Sequence, residues 1–365
     1  METKQPKSWI FRENSLDLIR LFAASEVAIE HTFEFMFADK TGTLFFHILK
    51  LFPGVPIFFF ISGYLISRSY ERSPNLREYS KNRILRLYPA LIICVAVNLI
   101  MVSLTGYLAE KQASAADIGL LFIAKTTFLQ FYNPDFMRQF GDGVLNGSLW
   151  TICVELQFYI LTPIGYYLFG RNRAISNKVL FSLIIVFLIF NRGLYGHEDY
   201  RSEVWWKLLK VSFIPWIYMF LTGMLFQRNF EKISTYMAKL PFLALLAAYI
   251  LAGLALNNAG FATSNSISPV LFILIALVIF RAAYFLPDKA NLLLKGNDIS
   301  YGIYIWHMPI VNQMLYLGYR HETYHAFIAL GLSVLVAILS WKFVEKPSLM
   351  LKSITINSRL AKKNA

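Results

Sequence analysis

Cysteine is nearly absent from this chain. It occurs twice in 365 residues, as Cys94 and Cys153, each inside an apolar run. That placement reads as two buried thiols and argues against a disulfide framework or a metal site. Charge is scarce as well: Asp, Glu, Lys and Arg make up 16% of the residues, where a soluble domain carries nearer a quarter, and 56% are hydrophobic. The scarcity is lopsided, with 22 acidic residues against 35 Lys and Arg. No solenoid-type repeat, low-complexity tract or separate soluble domain is visible. No cleavable signal peptide is expected, because the first apolar run is too long and too charged for one. These absences leave an all-α polytopic membrane protein. In that class the net charge of +13 is read first as cytoplasmic loop charge rather than as a nucleic-acid footprint.

Eleven apolar stretches follow, at 16–37, 44–66, 87–107, 116–132, 149–169, 179–195, 205–226, 240–256, 267–286, 299–317 and 324–344. The fourth is short and interrupted by Lys125, Thr126 and Thr127. If it does not cross and the N-terminus is cytoplasmic, about two thirds of the Lys and Arg residues fall on the inner side. The loop at 195–204 then lies outside with Glu198, Asp199 and Glu203. If it does cross, the Arg171, Arg173 and Lys178 cluster moves outside. The expected architecture is therefore about ten transmembrane helices with both termini cytoplasmic. One re-entrant or interfacial segment lies near 116–132. Residues 1–15 form a cytoplasmic N-terminus, 16–347 the membrane domain and 348–365 a cytoplasmic tail.

The first stretch carries Asp17, Arg20, Glu26, Glu30, His31 and Glu34, more charge than a lipid-facing span tolerates. Arg20 and His31 are eleven residues apart. At 100° per residue they return to within roughly 20° of one another, so both share one helix face about 16 Å apart. Glu26, Glu30 and Glu34 repeat every four residues on an offset face. They either line the same cavity or are protonated packing groups. The second stretch ends with Ser62, Gly63 and Tyr64 near the inner face. Arg83 and Arg86 sit at the cytoplasmic mouth of the third, either as topological anchors or as a bidentate grip for phosphates. Trp150 and Glu155 fall in the outer half of the fifth apolar run, where a carboxylate needs a partner or a proton. His307 lies near mid-depth of the tenth, one turn beyond Tyr304. It is either a satisfied buried imidazole or a functional one.

Taken together, these patches resemble the acyltransferase family 3 integral membrane proteins. The matching segments run in order as SLDLIRLFAASEVAIEH with its Arg-x10-His spacing, PIFFFISGYLI, RILRLYP, SLWTICVELQFYILTP, SYGIYIWHMPI and VEKP. The departures are Leu18 and Leu21 where the family often has glycine, Pro56 where an acidic residue is common, and the additional first-span glutamates. The resemblance implies a bacterial inner-membrane O-acyltransferase, here expected to be the stand-alone membrane form. It further implies an acyl-CoA donor, most often acetyl-CoA, used as co-substrate, with no bound cofactor or metal, and a saccharide hydroxyl as acceptor. The partners expected are donor, glycan and membrane lipids, with no nucleic acid.

On that reading Arg83 and Arg86, with Ser62 and Tyr64, hold the donor, and Arg20 lies deeper on its route. His31 acts as general base or takes the acyl group as an acyl-imidazole. Glu155 orients the ring or stabilises its cation. Asp17, Trp150, His307 and Tyr304 support the site. The rival reading of buried His and Glu is a proton-coupled transporter, which should display inverted repeats with matching broken spans.

Overall fold

The computed structural model describes residues 9–11, 13–37, 42–170, 173–195, 200, 203–260, 263–285 and 292–351. The expected cytoplasmic tail at 348–365 and the N-terminal arm therefore lie largely outside the described residues. The same holds for the loop acids Glu198 and Asp199 and for Arg171. Among the described residues there is no strand; the elements are helices.

In chain order the main helices are α1 (Leu16–Met36), α2 (Gly54–Arg72), α3 (Leu76–Leu104), α4 (Ala115–Thr126) and α5 (Trp150–Phe169). They are followed by α6 (Arg173–Tyr195), α7 (Ile217–Arg228), α8 (Phe242–Asn258), α9 (Pro269–Ala283), α10 (Ser300–Tyr316) and α11 (Thr323–Ser340). Five helical segments of the described chain are long and apolar enough to cross a membrane. A sixth is added if Phe230–Met237 and α8, bent 91° to one another, count as one span.

Two of the apolar stretches hold only short helices, and the second of them differs from the sequence expectation. The one at 116–132 contains only α4, whose 12 residues rise about 18 Å, well short of a hydrocarbon core. Its start is fixed by a capping box, Ser114 accepting from the Asp117 N–H while the Asp117 carboxylate accepts from Ser114. The stretch at 205–226 is expected as one span but consists of Val204–Lys210 and α7 with a break between them. Pro215 sits in that break and cannot donate a backbone bond. The freed groups are satisfied by side chains. Gln157 Nε2 donates to Val211 O at 3.0 Å, the Phe213 N–H donates to Gln157 Oε1 at 2.8 Å, and Asn191 Nδ2 donates to Pro215 O at 2.9 Å. Non-helical backbone survives among apolar helices only when it is paired in this way.

The helices form two compact units. The first gathers the described residues of Met1–Val27, Gly42–Arg72 and Gln157–Asp298. Its centre is the crossing of α2 on α7, made possible by two facing glycines. A methyl group at Gly63 would collide with the Phe220 carbonyl, and one at Gly223 with the Phe60 carbonyl. Small residues at a crossing let two backbones approach closely where apolar burial alone gives helices no reason to associate. Phe60, Tyr218 and Phe220 fill the surrounding space and are fully buried.

The second unit gathers the described residues of Ala28–Thr41, Ser73–Leu156 and Ile299–Ala365. Its axis is α10, buried along nearly its whole length and packed on α3 and α11. Gly302 packs closely on Ala337 of α11, where an added methyl group would be tight, while Met36, Ile310, Val311, Met314, Leu315 and Ala329 form an apolar cluster near the far end.

Candidate active site

Proline in the interior of α10 organises the second unit's polar centre. Pro309 has no N–H, so the carbonyl four residues earlier, Ile305 O, loses its helical donor. Two side chains replace it: Asn146 Nδ2 donates at 2.9 Å and the Cys94 thiol at 3.3 Å. The neighbouring Tyr304 carbonyl accepts from Ser148 Oγ at 3.2 Å, and Ser148 Oγ also contacts Asn146 Oδ1 at 2.7 Å. The Tyr304 hydroxyl meets Thr151 Oγ1 at 2.5 Å and the Ser148 carbonyl at 3.2 Å. The segment at 146–151, which opens α5, is thereby stitched to the middle of α10. The sequence signal for this was the proline inside a histidine-bearing span followed through to its orphaned carbonyl. Asn146, Ser148 and Thr151 escape a reading that looks only for ionisable groups.

His307 stands in that stitched region and is fully buried. Its Nδ1 lies 3.1 Å from Ile303 O, and its Nε2 lies 3.0 Å from Nδ1 of His31. A carbonyl oxygen only accepts, so His307 carries its proton on Nδ1 and, when neutral, presents a lone pair at Nε2. That lone pair takes the Nδ1–H of His31. A neutral His31 is then unprotonated at Nε2, the tautomer a general base requires. One backbone carbonyl thus selects, through two rings, which nitrogen of His31 is basic.

Two further polar groups are the chain neighbours of the histidines. Thr32 Oγ1 and Trp306 Nε1 are both buried and have no hydrogen-bond partner among the described residues. Buried polar atoms of this kind are normally met by water or ligand.

The other sequence-predicted residues separate between the units. Glu155, Trp150, Tyr304, Arg83 and Arg86 lie in the second unit with the histidines; Asp17, Arg20, Ser62 and Tyr64 lie in the first. Glu155 is half-buried on α5, but the group bonded to the His31 ring is His307 and not a carboxylate. Arg83 and Arg86 are half-buried on α3, and the Arg83 guanidinium lies 5.8 Å from the Tyr79 ring centroid. Tyr301, at the start of α10, donates to Leu87 O at 3.1 Å, directly beside Arg86 in the chain. From Tyr301 to His307 the helix rises about 9 Å.

In the first unit Arg20 Nη1 is held by Asp298 at 2.8 Å, with Asp17 at 3.5 Å. Asp298 has no counterpart in the sequence reading. Tyr64 is fully buried, bonded through its hydroxyl to Tyr284 at 2.7 Å and stacked on Phe11 at 4.9 Å between centroids. Ser62 is half-buried on the same helix. Glu26, one of the three unassigned glutamates, accepts from the Gly54 N–H at 2.7 Å and so caps the first turn of α2. Glu34 is exposed. Both cysteines are free thiols used as donors, Cys153 to Phe128 O at 3.0 Å. No group of three or more His, Cys, Asp or Glu placed to hold a metal occurs among the described residues.

A described chain that is all helical, with several membrane-length apolar helices and a bonded pair of histidines joining two of its helices, defines a multi-pass helical membrane protein. The sequence profile of the acyltransferase domain matches residues 13–342, nearly the whole chain, and the protein belongs to acyltransferase family 3. It is 29% identical over 360 residues to nodulation protein 10 of Rhizobium leguminosarum bv. viciae, covering 95% of this chain and 96% of that one. It is 27% identical over 351 residues to an O-acetyl transferase of Shigella phage Sf6, covering 92% and 96%. Against the O-acetyltransferase OatA of Staphylococcus aureus (strain NCTC 8325 / PS 47) it is 26% identical over 324 residues, which are 81% of this chain and about half (52%) of that relative. No solved structure matches.

Proposed function

We propose that this protein transfers an acyl group, acetyl in the first instance, from cytoplasmic acyl-CoA to a saccharide hydroxyl on the far side of a bacterial inner membrane. The observation that carries the reading is the bonded pair His31–His307, because it presents a basic nitrogen in the interior of a family of acyltransferases. The reaction balances simply. His31 Nε2 takes the proton of the sugar hydroxyl as its oxygen attacks the thioester carbonyl. The C–S bond breaks, and the departing thiolate receives the proton back. In a covalent variant Nε2 itself attacks first and the acyl-imidazole is then passed to the hydroxyl. His307 disperses the charge that forms on His31 through the Nδ1–H contact, and Glu155 is assigned to stabilising the same cation from its own helix.

Donor placement rests on charge and on position along α10. Arg83 and Arg86, with their fork geometry suited to phosphates, belong to the end at which Tyr301 meets Leu87, one helical segment before His307. Arg20, held by Asp298, is proposed as a half-buried positioning charge within the first unit. The ten-span topology with both termini cytoplasmic is part of this proposal and supplies the direction of transfer.

The deciding experiment supplies membranes containing the protein with labelled acetyl-CoA and follows label into the host's surface glycans by mass analysis. Transfer that vanishes in His31→Ala, with normal insertion, is the expected result. Full transfer by His31→Ala would overturn the reading.

A further inference from the structure

Three helices of the first unit, α5, α6 and α7, are tied together by side chains at both ends. At one end Gln157 of α5 holds the backbone leading into α7, donating to Val211 O at 3.0 Å and accepting from the Phe213 N–H at 2.8 Å. Asn191 of α6 donates to Pro215 O in the same segment at 2.9 Å. At the other end Asn177 of α6 donates to Oδ1 of Asn229, the residue after α7, at 2.9 Å. There the Tyr166 hydroxyl of α5 lies 2.6 Å from Ser67 Oγ and 3.0 Å from Glu71 Oε1, both on α2. Between these ties α6 packs closely on α7, whereas α5 stands off and leaves an apolar groove of about 230 Å³.

The groove is lined on α5 from Phe158 to Phe169, on α6 from Ser176 to Phe187 and on α7 from Ile217 to Arg228. Each of these runs rises about 16 Å, close to half of a hydrocarbon core and so to the depth of one lipid leaflet. Its wall is almost wholly apolar, and the Thr162 hydroxyl spends its proton within α5, on Phe158 O at 2.8 Å. Gly165 lies on the wall, and a methyl group built on it would meet no atom within 4 Å. Glycine is a poor residue for a helix interior, and no close neighbour requires it here; what it leaves is space. Ile164 and Leu168 line the groove and are exposed, so it opens to the outside of the helices, where the bilayer lies. An unfilled apolar gap forfeits dispersion contacts, and water finds no partners in it, so hydrocarbon is the occupant that fits.

One end of the groove is charged. Arg228 is the one charged residue of the described lining; its guanidinium lies 5.5 Å from the Tyr166 ring centroid, with Nη1 3.5 Å from Glu71. A guanidinium at the end of a hydrocarbon slot suits a phosphate, which its planar fork matches. We propose that this groove binds a membrane phospholipid, with one acyl chain between α5, α6 and α7 and the headgroup phosphate at the Arg228 end. The bound chain completes the packing of α5 on the first unit. No residue assigned to acyl transfer lines it.

The test uses the full-length protein purified in mild detergent, with bound lipid read by native mass spectrometry. A single phospholipid mass that survives exchange into fresh detergent is expected on the parent. After delipidation the parent should rebind dioleoylphosphatidylethanolamine at least about tenfold more tightly than dioleoylglycerol, which has the same chains and no phosphate. Gly165→Phe and Leu183→Phe fill the groove from two different helices. Each should lower phospholipid occupancy by about tenfold or more at an unchanged elution volume on size-exclusion chromatography. A ladder of adducts with no preferred single lipid, or equal binding of the diacylglycerol, would overturn the site on the parent alone, whether or not the variants fold. Full phospholipid occupancy in either filled variant would overturn it as well.

Discussion

The Nδ1 of His31 lies 3.0 Å from the Nε2 of His307, and the remaining nitrogen of His307 is committed to the Ile303 carbonyl. The second histidine is therefore a tautomer lock. His307→Ala should lower kcat by at least tenfold while leaving the donor KM within about twofold. Removing His31 costs more, on the order of 10²–10⁴-fold, as for a lost general base. His307→Gln, whose amide oxygen can accept from His31, should recover part of the kcat lost in His307→Ala. Steady-state kinetics with acetyl-CoA checks both statements, and equal kcat in His307→Ala and the parent would remove the lock.

Glu26 is placed to serve the fold and not the chemistry. Its carboxylate accepts from the Gly54 N–H at the start of α2. Glu26→Gln preserves an acceptor and should leave both thermal stability and acyl transfer near the parent's. Glu26→Leu strands that N–H and should cost about 1–3 kcal/mol, read as a lower melting temperature in detergent. A large activity loss in Glu26→Gln at unchanged stability would contradict this.

The Gly63–Gly223 crossing has no tolerance for a side chain, because each position faces a carbonyl of the other helix. Gly63→Ala should destabilise the first unit by about 1–3 kcal/mol or more as α2 and α7 are forced apart. Gly63→Leu should give aggregated protein on size-exclusion chromatography. By contrast Gly165→Ala, where nothing lies near the added methyl, should behave as the parent does.

Burial pushes the Asp142 carboxyl in the loop before α5 up to about 6, against the opposing pull of the Val144 N–H, Asn312 and Lys125. The ordinary value is 3.8, so between about pH 4 and 6 the folded chain holds more protons than the unfolded one. Stability therefore falls as pH rises through that window and levels off above it. Thermal melts of the parent and Asp142→Asn across pH 4 to 7 should diverge in slope there, the variant lacking this component. Identical slopes would show that Asp142 is not perturbed.

Much of the fold is legible in the sequence itself. Period, length and hydropathy marked the helices. The Arg-x10-His and WHMP segments marked the two histidines that the fold brings together. These features are local, since a helix and its polar face follow from neighbours within a few residues of one another. What stayed hidden involves partners far apart in sequence. The bond between His31 and His307 spans 276 residues, that between Arg20 and Asp298 spans 278, and the Glu26 cap on α2 spans 28. The break at 211–216 was also invisible, because Gln157 and Asn191 satisfy it from helices the local pattern cannot see.

The amino-acid sequence by itself determined that this is a helical membrane acyltransferase with basic, acidic and imidazole groups inside its apolar runs, because composition and short motifs carry that information along the chain. Only the tertiary structure decided which of those groups meet. It put an imidazole rather than a carboxylate behind His31, turned Glu26 into a cap and tied Arg20 to Asp298. A side chain's role is fixed by the donors and acceptors within about 3 Å of it, and folding alone brings those there.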